Sequence, residues 1–512
     1  MSLANSITGS TPASFSFVHP DYGCAWEEWK TVEDVCAGTT WVKRESTRYL
    51  PKLGEQSDDV YRAVRKRAVF CNASRRTMVA LCGLVMRKPP VLTIPDGEAA
   101  TQPLMRDVTM TGMSVQQYIR TVSDAAVSTG RMVTVIDYSA EQMRPYVATY
   151  KALDVLNWST GQHEGHRVLA LLIVRECEEV LEGFVVKKQD RFRSYRLVNG
   201  QVLYKTWAAG DADNSHADAP EKPMMRRGKP LTRIPAVFHN ANHLGPEIGE
   251  APLYDIAEIN VAHYRGSADL ENGRHFAGLP TPWATGVDDS NQTLTLGTTK
   301  MLTTEKPDAK FGFLEFTGTG LGEITKGQEE KERQMAVLGA RLLFDAKKDA
   351  ESFETVRLRA ASENAALSNI AGHLTVTLTE VLQWFYWWQG TAAMPTDVLA
   401  TVVMNMDFID TTIDGTTLAA YVSAFQQNAI SFETFFNLLK KGEVYPDDWD
   451  MDREAAAITQ RPPATMPTLP LDPNLDPEDD PGDDPPADPP AKPATKKAAT
   501  KMAAKKAAKK AA

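Results

Sequence analysis

Phe316-Thr-Gly318-Thr-Gly320-Leu-Gly322 puts three glycines between a strand-like stretch, Phe311 to Phe316, and a helix-forming one. A turn of this kind can lay the amides of a helix start against a phosphate. The spacing departs from that use. A GxGxxG run from Gly318 needs glycine at position 323, where Glu323 stands, and no GxxxxGK[ST] occurs at this position. A carboxylate at the helix start also occupies the electropositive end a phosphate would take. The residues favour a turn admitting the chain to a helix, with a nucleotide-binding enzyme as the alternative reading.

The histidines offer less. His239 and His243 lie four apart, but the segment between Ala236 and Gly245 reads as a loop, and no HExxH glutamate accompanies them. His163-Glu-Gly-His166 reads as a surface turn between strands. No GxSxG elbow is present, and no Cys/His pairing is assignable from order alone. The sequence therefore nominates no catalytic residue, no metal ligand and no cofactor, and the expectation is a protein that is not an enzyme.

A different kind of chemistry is suggested by Phe344-Asp-Ala-Lys-Lys-Asp-Ala-Glu-Ser352, where Lys347 and Lys348 sit among Asp345, Asp349 and Glu351. In one copy this is an ordinary solvated turn. Repeated around a ring, it would place circles of lysine and carboxylate at a constriction.

The segment is flanked by helix-forming sequence from Gln328 to Gln389. In the second half, Val356, Ala360, Leu367, Ile370, Leu374, Leu378, Val381 and Phe385 recur at spacings of three and four, with Glu363 breaking the stripe. A helix from Phe353 to Trp388 would be roughly 50 Å long at a rise of about 1.5 Å per residue. The aromatic run Trp384-Phe-Tyr-Trp-Trp388 at its end suits packing or a subunit interface.

Upstream, the chain reads as helical to about Asp124. Trp26, Trp29, Val32 and Cys36 share a face, Ser57 caps a helix through Asn72, Ser74 caps another through Met86 ahead of Pro89-Pro90, and a further helix runs from Ser114 to Thr129. Strands are expected at Met132–Asp137, Tyr146–Tyr150, Val168–Arg175, Glu182–Lys188, Ser194–Val198 and Val202–Trp207, the last two joined by a hairpin turning at Asn199-Gly200. Together these make an α+β domain. Pro252 opens a helix through Phe276 with polar stripes on more than one side. Short strands follow at Trp283–Thr285, Gln292–Leu296 and Phe311–Phe316, too few for a core of their own, so neighbouring subunits would complete them. Helix resumes near Leu321. A strand at Ala400–Phe408 and helices at Thr416–Gln427 and Ser431–Lys440 end the folded part. Beyond Thr459 come a Pro/Asp-rich stretch and a Lys/Ala segment, read as a disordered tail that either tethers DNA or an acidic partner or simply solubilises.

The 512 residues carry a net charge of −10, which argues against a protein that grips phosphates tightly. Five cysteines, odd in number and never spaced CxxC, favour reduced, mostly buried thiols. The first ten residues lack the pattern of a secretory signal, and no apolar run reaches the ~20 residues of a membrane span, so a soluble, cytosolic setting is expected.

Several stretches then resemble the portal family of tailed bacteriophages: His19-Pro-Asp-Tyr followed by Trp29; Arg48-Tyr-Leu-Pro-Lys-Leu-Gly-Glu-Gln-Ser-Asp-Asp-Val-Tyr61; Gly83-Leu-Val-Met-Arg-Lys-Pro-Pro90; Asn260-Val-Ala-His-Tyr-Arg-Gly-Ser-Ala-Asp269; His275-Phe-Ala-Gly-Leu-Pro-Thr-Pro282; and Met335-Ala-Val-Leu-Gly-Ala-Arg-Leu-Leu343. They spread from His19 to Asp450, and none encodes a reaction.

The resemblance implies an α+β portal fold assembled as a ring, a dodecamer, at one capsid vertex, through which double-stranded DNA is packaged and ejected. It implies a flexible N-terminus to residue 18, a wing over 19–250, stem helices over 251–281 and 319–343, and a clip over 282–318. A tunnel loop over 344–352, a long wing helix over 353–390, a wing or crown over 391–458 and the tail over 459–512 complete it. Asp345, Lys347, Lys348, Asp349 and Glu351 would face the DNA. The clip charges Asp288, Asp289, Lys300, Lys306 and Lys310 would dock partners. Those partners are the terminase large subunit, whose ATPase would power packaging, then head-completion and tail adaptor proteins, with capsid and scaffolding proteins around the ring and no membrane. The setting is the virion, and the host cytoplasm during assembly. An acidic subunit with a few loop lysines would guide DNA without gripping it, and ring closure would cover helices and aromatics too numerous for a monomer. Another virion connector or adaptor is the nearest alternative.

Overall fold

The computed structural model describes residues 17–95, 106–208, 220–278, 281–285, 307–308, 310–314, 319–340, 353–406, 408, 415–442, 444–445 and 449–460. The chain is mixed helix and sheet and divides at residue 410 into two compact units.

The larger unit begins with five helices, α1 (Pro20–Ala37), α2 (Thr39–Arg44), α3 (Ser46–Tyr49), α4 (Asp58–Arg67) and α5 (Ala73–Val85). Local chemistry accounts for their ends. The His19 side chain caps α1 with Pro20 in its first turn, and Ser57 accepts from the Val60 amide at the start of α4. Asp58 and Asp59 open α4 while Arg65, Lys66 and Arg67 close it, each charge opposing the helix dipole. Two sequence expectations are corrected here. The α4 helix stops at Arg67 rather than Asn72, and α5 is capped by Asn72, whose Oδ1 accepts from the Arg75 amide. Ser74 lies inside α5, fully buried, because a residue distant in sequence, Asn260, takes its hydroxyl.

After β1 (Val91–Thr93), helix α6 (Val115–Ser128) starts on a reciprocal Ser114–Gln117 capping box. Strands β2 (Arg131–Ser139) and β3 (Arg144–Lys151) follow. A five-stranded antiparallel meander then comprises β4 (Val155–His163), β5 (His166–Glu182), β6 (Val185–Val198), β7 (Gln201–Ala208) and β8 (Lys222–Pro223). The β6–β7 turn forms as expected: Val198 pairs with Gln201, and Asn199 and Gly200 have φ of 52° and 74°, the two left-handed residues of a type I′ hairpin. The expected strand Glu182–Lys188 instead spans the turn at Gly183-Phe184 between β5 and β6, the expected Ser194–Val198 is the end of a longer β6, and β4 was not expected at all.

The short strands β9 (Met225–Arg226) and β10 (Lys229–Pro230) lead to β11 (Ala236–Asn240), which pairs with β2 in the three-stranded sheet β11-β2-β3. The segment read as a loop around His239 is thus an edge strand of that sheet, and a buried one. Helix α7 (Tyr254–Gly278), the pair β12 (Thr281–Thr285) and β13 (Lys310–Leu314), and helices α8 (Thr319–Ala340) and α9 (Phe353–Gln389) complete the order before β14 (Thr401–Val403), which pairs with β1. Among the described residues of the expected Ala400–Phe408 strand, these three are strand.

The described part of the α9 apolar stripe is buried: Leu367, Ile370, Leu374, Leu378, Val381 and Phe385 are each 7% exposed or less. Burying one such side chain contributes about 1.5–3 kcal/mol, so this stripe fixes α9 on the β11-β2-β3 sheet. Cross-links to that sheet run from Thr377 Oγ1 to His239 Nδ1 (2.8 Å), His373 Nδ1 to the Ala241 carbonyl (2.9 Å) and Trp388 Nε1 to the Ile136 carbonyl (3.3 Å). The run Trp384 to Trp388 is covered within the chain, at 8% exposure or less throughout, which corrects the expectation of aromatics too numerous for a monomer. The cysteines are free, but Cys24, Cys71 and Cys177 are exposed and only Cys36 and Cys82 buried, against the expectation of mostly buried thiols.

The smaller unit contains α10 (Gly415–Gln426), α11 (Phe432–Lys441) and α12 (Met451–Thr459). Ser431 caps α11 and Gly442 ends it, as expected. Phe425 stacks on Phe435 at 4.7 Å. Tyr445 stacks on both Phe436 and Trp449.

Candidate functional site

The feature that organises the second half of the larger unit is an antiparallel pairing of two helices and of two strands. His263 Nε2 on α7 lies 3.1 Å from Glu332 Oε1 on α8. One turn on, the Gln328 amide donates to the His263 carbonyl at 2.9 Å, and a Cβ at Gly266 would lie 2.8 Å from Gln328 Oε1. Gly273 stands against Leu321 in the same way. The two strands that lie between these helices in sequence also pair antiparallel, Thr281 with Leu314, Trp283 with Gly312 and Thr285 with Lys310. The two glycines let the helix backbones approach. At the strand pair, the Trp283 ring lies over Gly312, where a Cβ would meet it at 2.8 Å.

The root of this excursion is anchored by polar side chains. Asn260 Oδ1 accepts from the Ala73 amide (3.1 Å), the Ser74 amide (3.2 Å) and Ser74 Oγ (3.1 Å), and its Nδ2 donates to the Cys71 carbonyl (2.6 Å). Arg265 Nε donates to the Tyr49 carbonyl (2.9 Å), Ser267 Oγ accepts from the Val69 amide (3.0 Å), and Arg67 donates to Asn272 Oδ1 (3.2 Å). The bonds to the Ala73, Ser74 and Val69 amides and to the Cys71 and Tyr49 carbonyls take up backbone groups of the chain around α3, α4 and α5. The other end of α7 is bare: Arg274, His275 and Phe276 are exposed. On α8, Gln328 and Met335 are buried, while Glu323, Lys326, Glu329, Glu330, Glu332 and Arg333 face solvent with both charge signs interspersed.

Two buried polar centres could be mistaken for chemistry. His239 is fully buried, its Nδ1 on Thr377 and its Nε2 2.9 Å from Thr134 Oγ1 and 3.4 Å from the Tyr118 hydroxyl. Burial lowers its pKa to about 3, so the ring is neutral and joins α6, α9 and the sheet. Arg131, 2% exposed, sits 4.3 Å from the Trp158 ring and 5.0 Å from the Phe238 ring, with Nη1 on the Pro246 and Glu247 carbonyls at 2.8 Å each. Desolvation lowers its pKa to about 9. Both side chains are buried, and their bonds tie elements of the larger unit together. Among the described residues, no group of three His, Cys, Asp or Glu could hold a metal ion, and no helix is long and apolar enough to cross a membrane.

Of the residues singled out by sequence, Lys310 begins β13 and is exposed. Asp288, Asp289, Lys300 and Lys306 lie outside the described residues, as do Asp345, Lys347, Lys348, Asp349 and Glu351. Gly320 and Gly322 fall in the first turn of α8, and Glu323 pairs with Lys326 at 2.7 Å. His163 and His166 flank a β-turn at Glu164 and Gly165, as expected. Sequence reading missed Asn260, Gln328 and the His263–Glu332 pair. The one available signal was Gly266 and Gly273, two turns apart on a single helix.

Residues 252–389 match a protein family described as a domain of unknown function (DUF4055). No curated protein matches the chain. Among solved structures, the chain is similar at 10% identity to a chain in the neck of an empty gene transfer agent particle computed with C6 symmetry, covering 75% of this chain and 94% of that one with a TM-score of 0.39. It is likewise similar to a chain of the native gene transfer agent virion (10% identity, 78% and 98% covered, TM-score 0.35) and to one in the native neck computed with C12 symmetry (10%, 76% and 94%, 0.34).

Proposed function

We propose that the protein is a portal subunit, a non-enzymatic component of a closed ring at a capsid vertex through which double-stranded DNA enters and leaves. The observation that carries this reading is the continuous α7-β12/β13-α8 excursion. It is rooted by Asn260 and its neighbours in the helical region, exposed at Arg274, His275 and Phe276 near the end of α7, and covered on α8 along a single narrow stripe. A helix pair with so much polar surface is suited to line an aqueous passage, and its alternating charges would neutralise few phosphates, which keeps DNA free to slide. On this reading the strand pair, with Lys310 at its edge and Asp288, Asp289, Lys300 and Lys306 between its strands in sequence, docks first a terminase and then head-completion proteins. The segment from Asp345 to Glu351 meets the DNA, and a dodecamer supplies the ring.

Negative-stain images of the purified full chain test the reading. Top views with rotational symmetry and a stain-filled centre are expected, and a monomer at every concentration sinks it. Rings that capture a tail adaptor but never a terminase would assign the protein to the other class of virion connector.

A further inference from the structure

Charge is unevenly spread along the chain. Residues 43–88 hold 12 of its 56 lysines and arginines but 4 of its 66 acids, a local excess of cations in a protein of net charge −10. Four of those cations are committed within the fold: Arg48 to Glu27, Lys52 to Asp58, Arg62 to Asp59 and Arg67 to the Asn272 side chain. Among the described residues, no carboxylate pairs with Lys43, Arg44, Arg65, Lys66, Arg75 or Arg76, and Arg44, Lys66, Arg75 and Arg76 are exposed.

Three helices bring these cations to one junction. Lys43 on α2 donates to the Lys66 carbonyl at the end of α4 (3.2 Å). Gly38, just before α2, stands so near Asn72, the cap of α5, that a Cβ there would lie 3.2 Å from Asn72 Nδ2. Burial and the adjacent Arg65 lower the Lys43 pKa, as happens where like charges crowd without a counter-ion. Arg44 lies 3.7 Å from the ring of the exposed Trp41, which holds its guanidinium at the surface. A solvated helix face usually mixes both signs, as α8 does. Here one sign stands alone, the arrangement that concentrates a polyanion, and guanidinium predominates, whose planar fork matches phosphate oxygens. We infer that the junction of α2, α4 and α5 binds the phosphate backbone of double-stranded DNA, whatever its base sequence. The contact is firmer than any the mixed charges of α8 offer, because each phosphate it neutralises releases counterions. The choice of duplex DNA rests on the proposed function above, whereas the phosphate chemistry rests on the junction itself.

Fluorescence anisotropy of a labelled DNA duplex of mixed sequence, titrated with the full chain at about 50 mM salt and then across a salt series, tests the inference. One variant combines Arg44→Gln, Lys66→Gln and Arg76→Gln, all exposed positions of the junction. A control of equal net charge combines Lys222→Gln, Arg227→Gln and Lys229→Gln, exposed positions outside it. The junction variant is expected to lose about 10-fold or more in affinity and to show a log–log salt slope shallower by about 2, while the control stays within about 2-fold of the parent. In the parent, bound duplex is expected to protect Lys66 from acetylation, read by mass spectrometry, and this measurement decides the matter if the junction variant folds poorly. A parent that does not bind the duplex, equal losses in both variants, or an unprotected Lys66 overturns the inference. A poly-glutamate peptide that binds more tightly than the duplex at equal charge also overturns it, and assigns the junction to an acidic protein. Parent rings that fail to bind the duplex leave the ring reading standing without this surface. Junction-dependent binding by a chain that never closes into rings leaves the phosphate surface standing and ends the portal reading.

Discussion

Gly266 of α7 and Gln328 of α8 touch so closely that a single added methyl group at position 266 would reach within 2.8 Å of Gln328 Oε1. Gln328 cannot swing aside freely, because it is 6% exposed and its Nε2 is held by the His263 carbonyl at 2.9 Å. The contact sets the distance between the two helices.

Gly266→Val should therefore push the helices apart and cost about 1–3 kcal/mol through overpacking. Denaturant unfolding measures the loss, and faster amide exchange across residues 319–340 localises it. Unchanged exchange there would mean the glycine contact does not set the pairing.

Asn260→Ala removes an acceptor shared by three donors and a donor to the Cys71 carbonyl. Leaving the buried start of α5 unpaired should cost about 2–4 kcal/mol. Asn260→Asp keeps the acceptor at a helix start and should recover part of that loss; equal melting temperatures for parent and alanine variant would refute the anchoring role.

Arg226 lies 3.8 Å from the Trp387 ring and donates to the carbonyls of Trp387, Gly390 (2.8 Å) and Ala392 (3.3 Å) at the end of α9. The Trp387 and Gly390 carbonyls are among those a helix C-terminus leaves without partners, and Ala392 follows in the loop. Arg226→Met keeps the stem over the ring and loses the bonds, so a loss of about 1–3 kcal/mol is expected in thermal unfolding. Arg226→Lys should recover little, since an ammonium cannot reach three carbonyls from one plane.

The His239 ring, buried neutral with a pKa of about 3, makes stability depend on pH. An unfolded histidine titrates near 6.5, so between the two values the unfolded chain binds the extra proton. The contribution is complete above about pH 6.5 and is lost as pH falls toward 3, amounting to about 2 kcal/mol by pH 5. His239→Gln should flatten that part of the stability–pH curve, read by denaturant titration at pH 5 and pH 8. An unchanged slope would place the pH dependence in other groups.

Lys347→Ala with Lys348→Ala should leave ring assembly intact and reduce the length or retention of packaged DNA, measured by gel analysis of filled particles. Wild-type length and yield would remove the proposed DNA contact.

Sequence by itself determined the elements whose signals are local. Ser57, Ser114 and Ser431 sit at helix starts because a short side-chain oxygen there reaches its own chain's free amides. Asn199-Gly200 makes its hairpin because those two types tolerate positive φ, and the stripe from Leu367 to Phe385 faces inward because its period is that of a helix. What only tertiary structure decided is which groups meet across long separations. Ser74 has the type of a cap, but Asn260 claims its hydroxyl and Asn72 takes the role. His239 has the neighbours of a loop in sequence, yet Thr134 and Thr377 turn it into a core residue of a strand. The Trp384–Trp388 run looks like surplus apolar surface until the sheet under α9 covers it. In each case the deciding partner lies roughly a hundred residues or more away, and a buried polar or aromatic group is governed by whichever partner the fold brings within bonding distance.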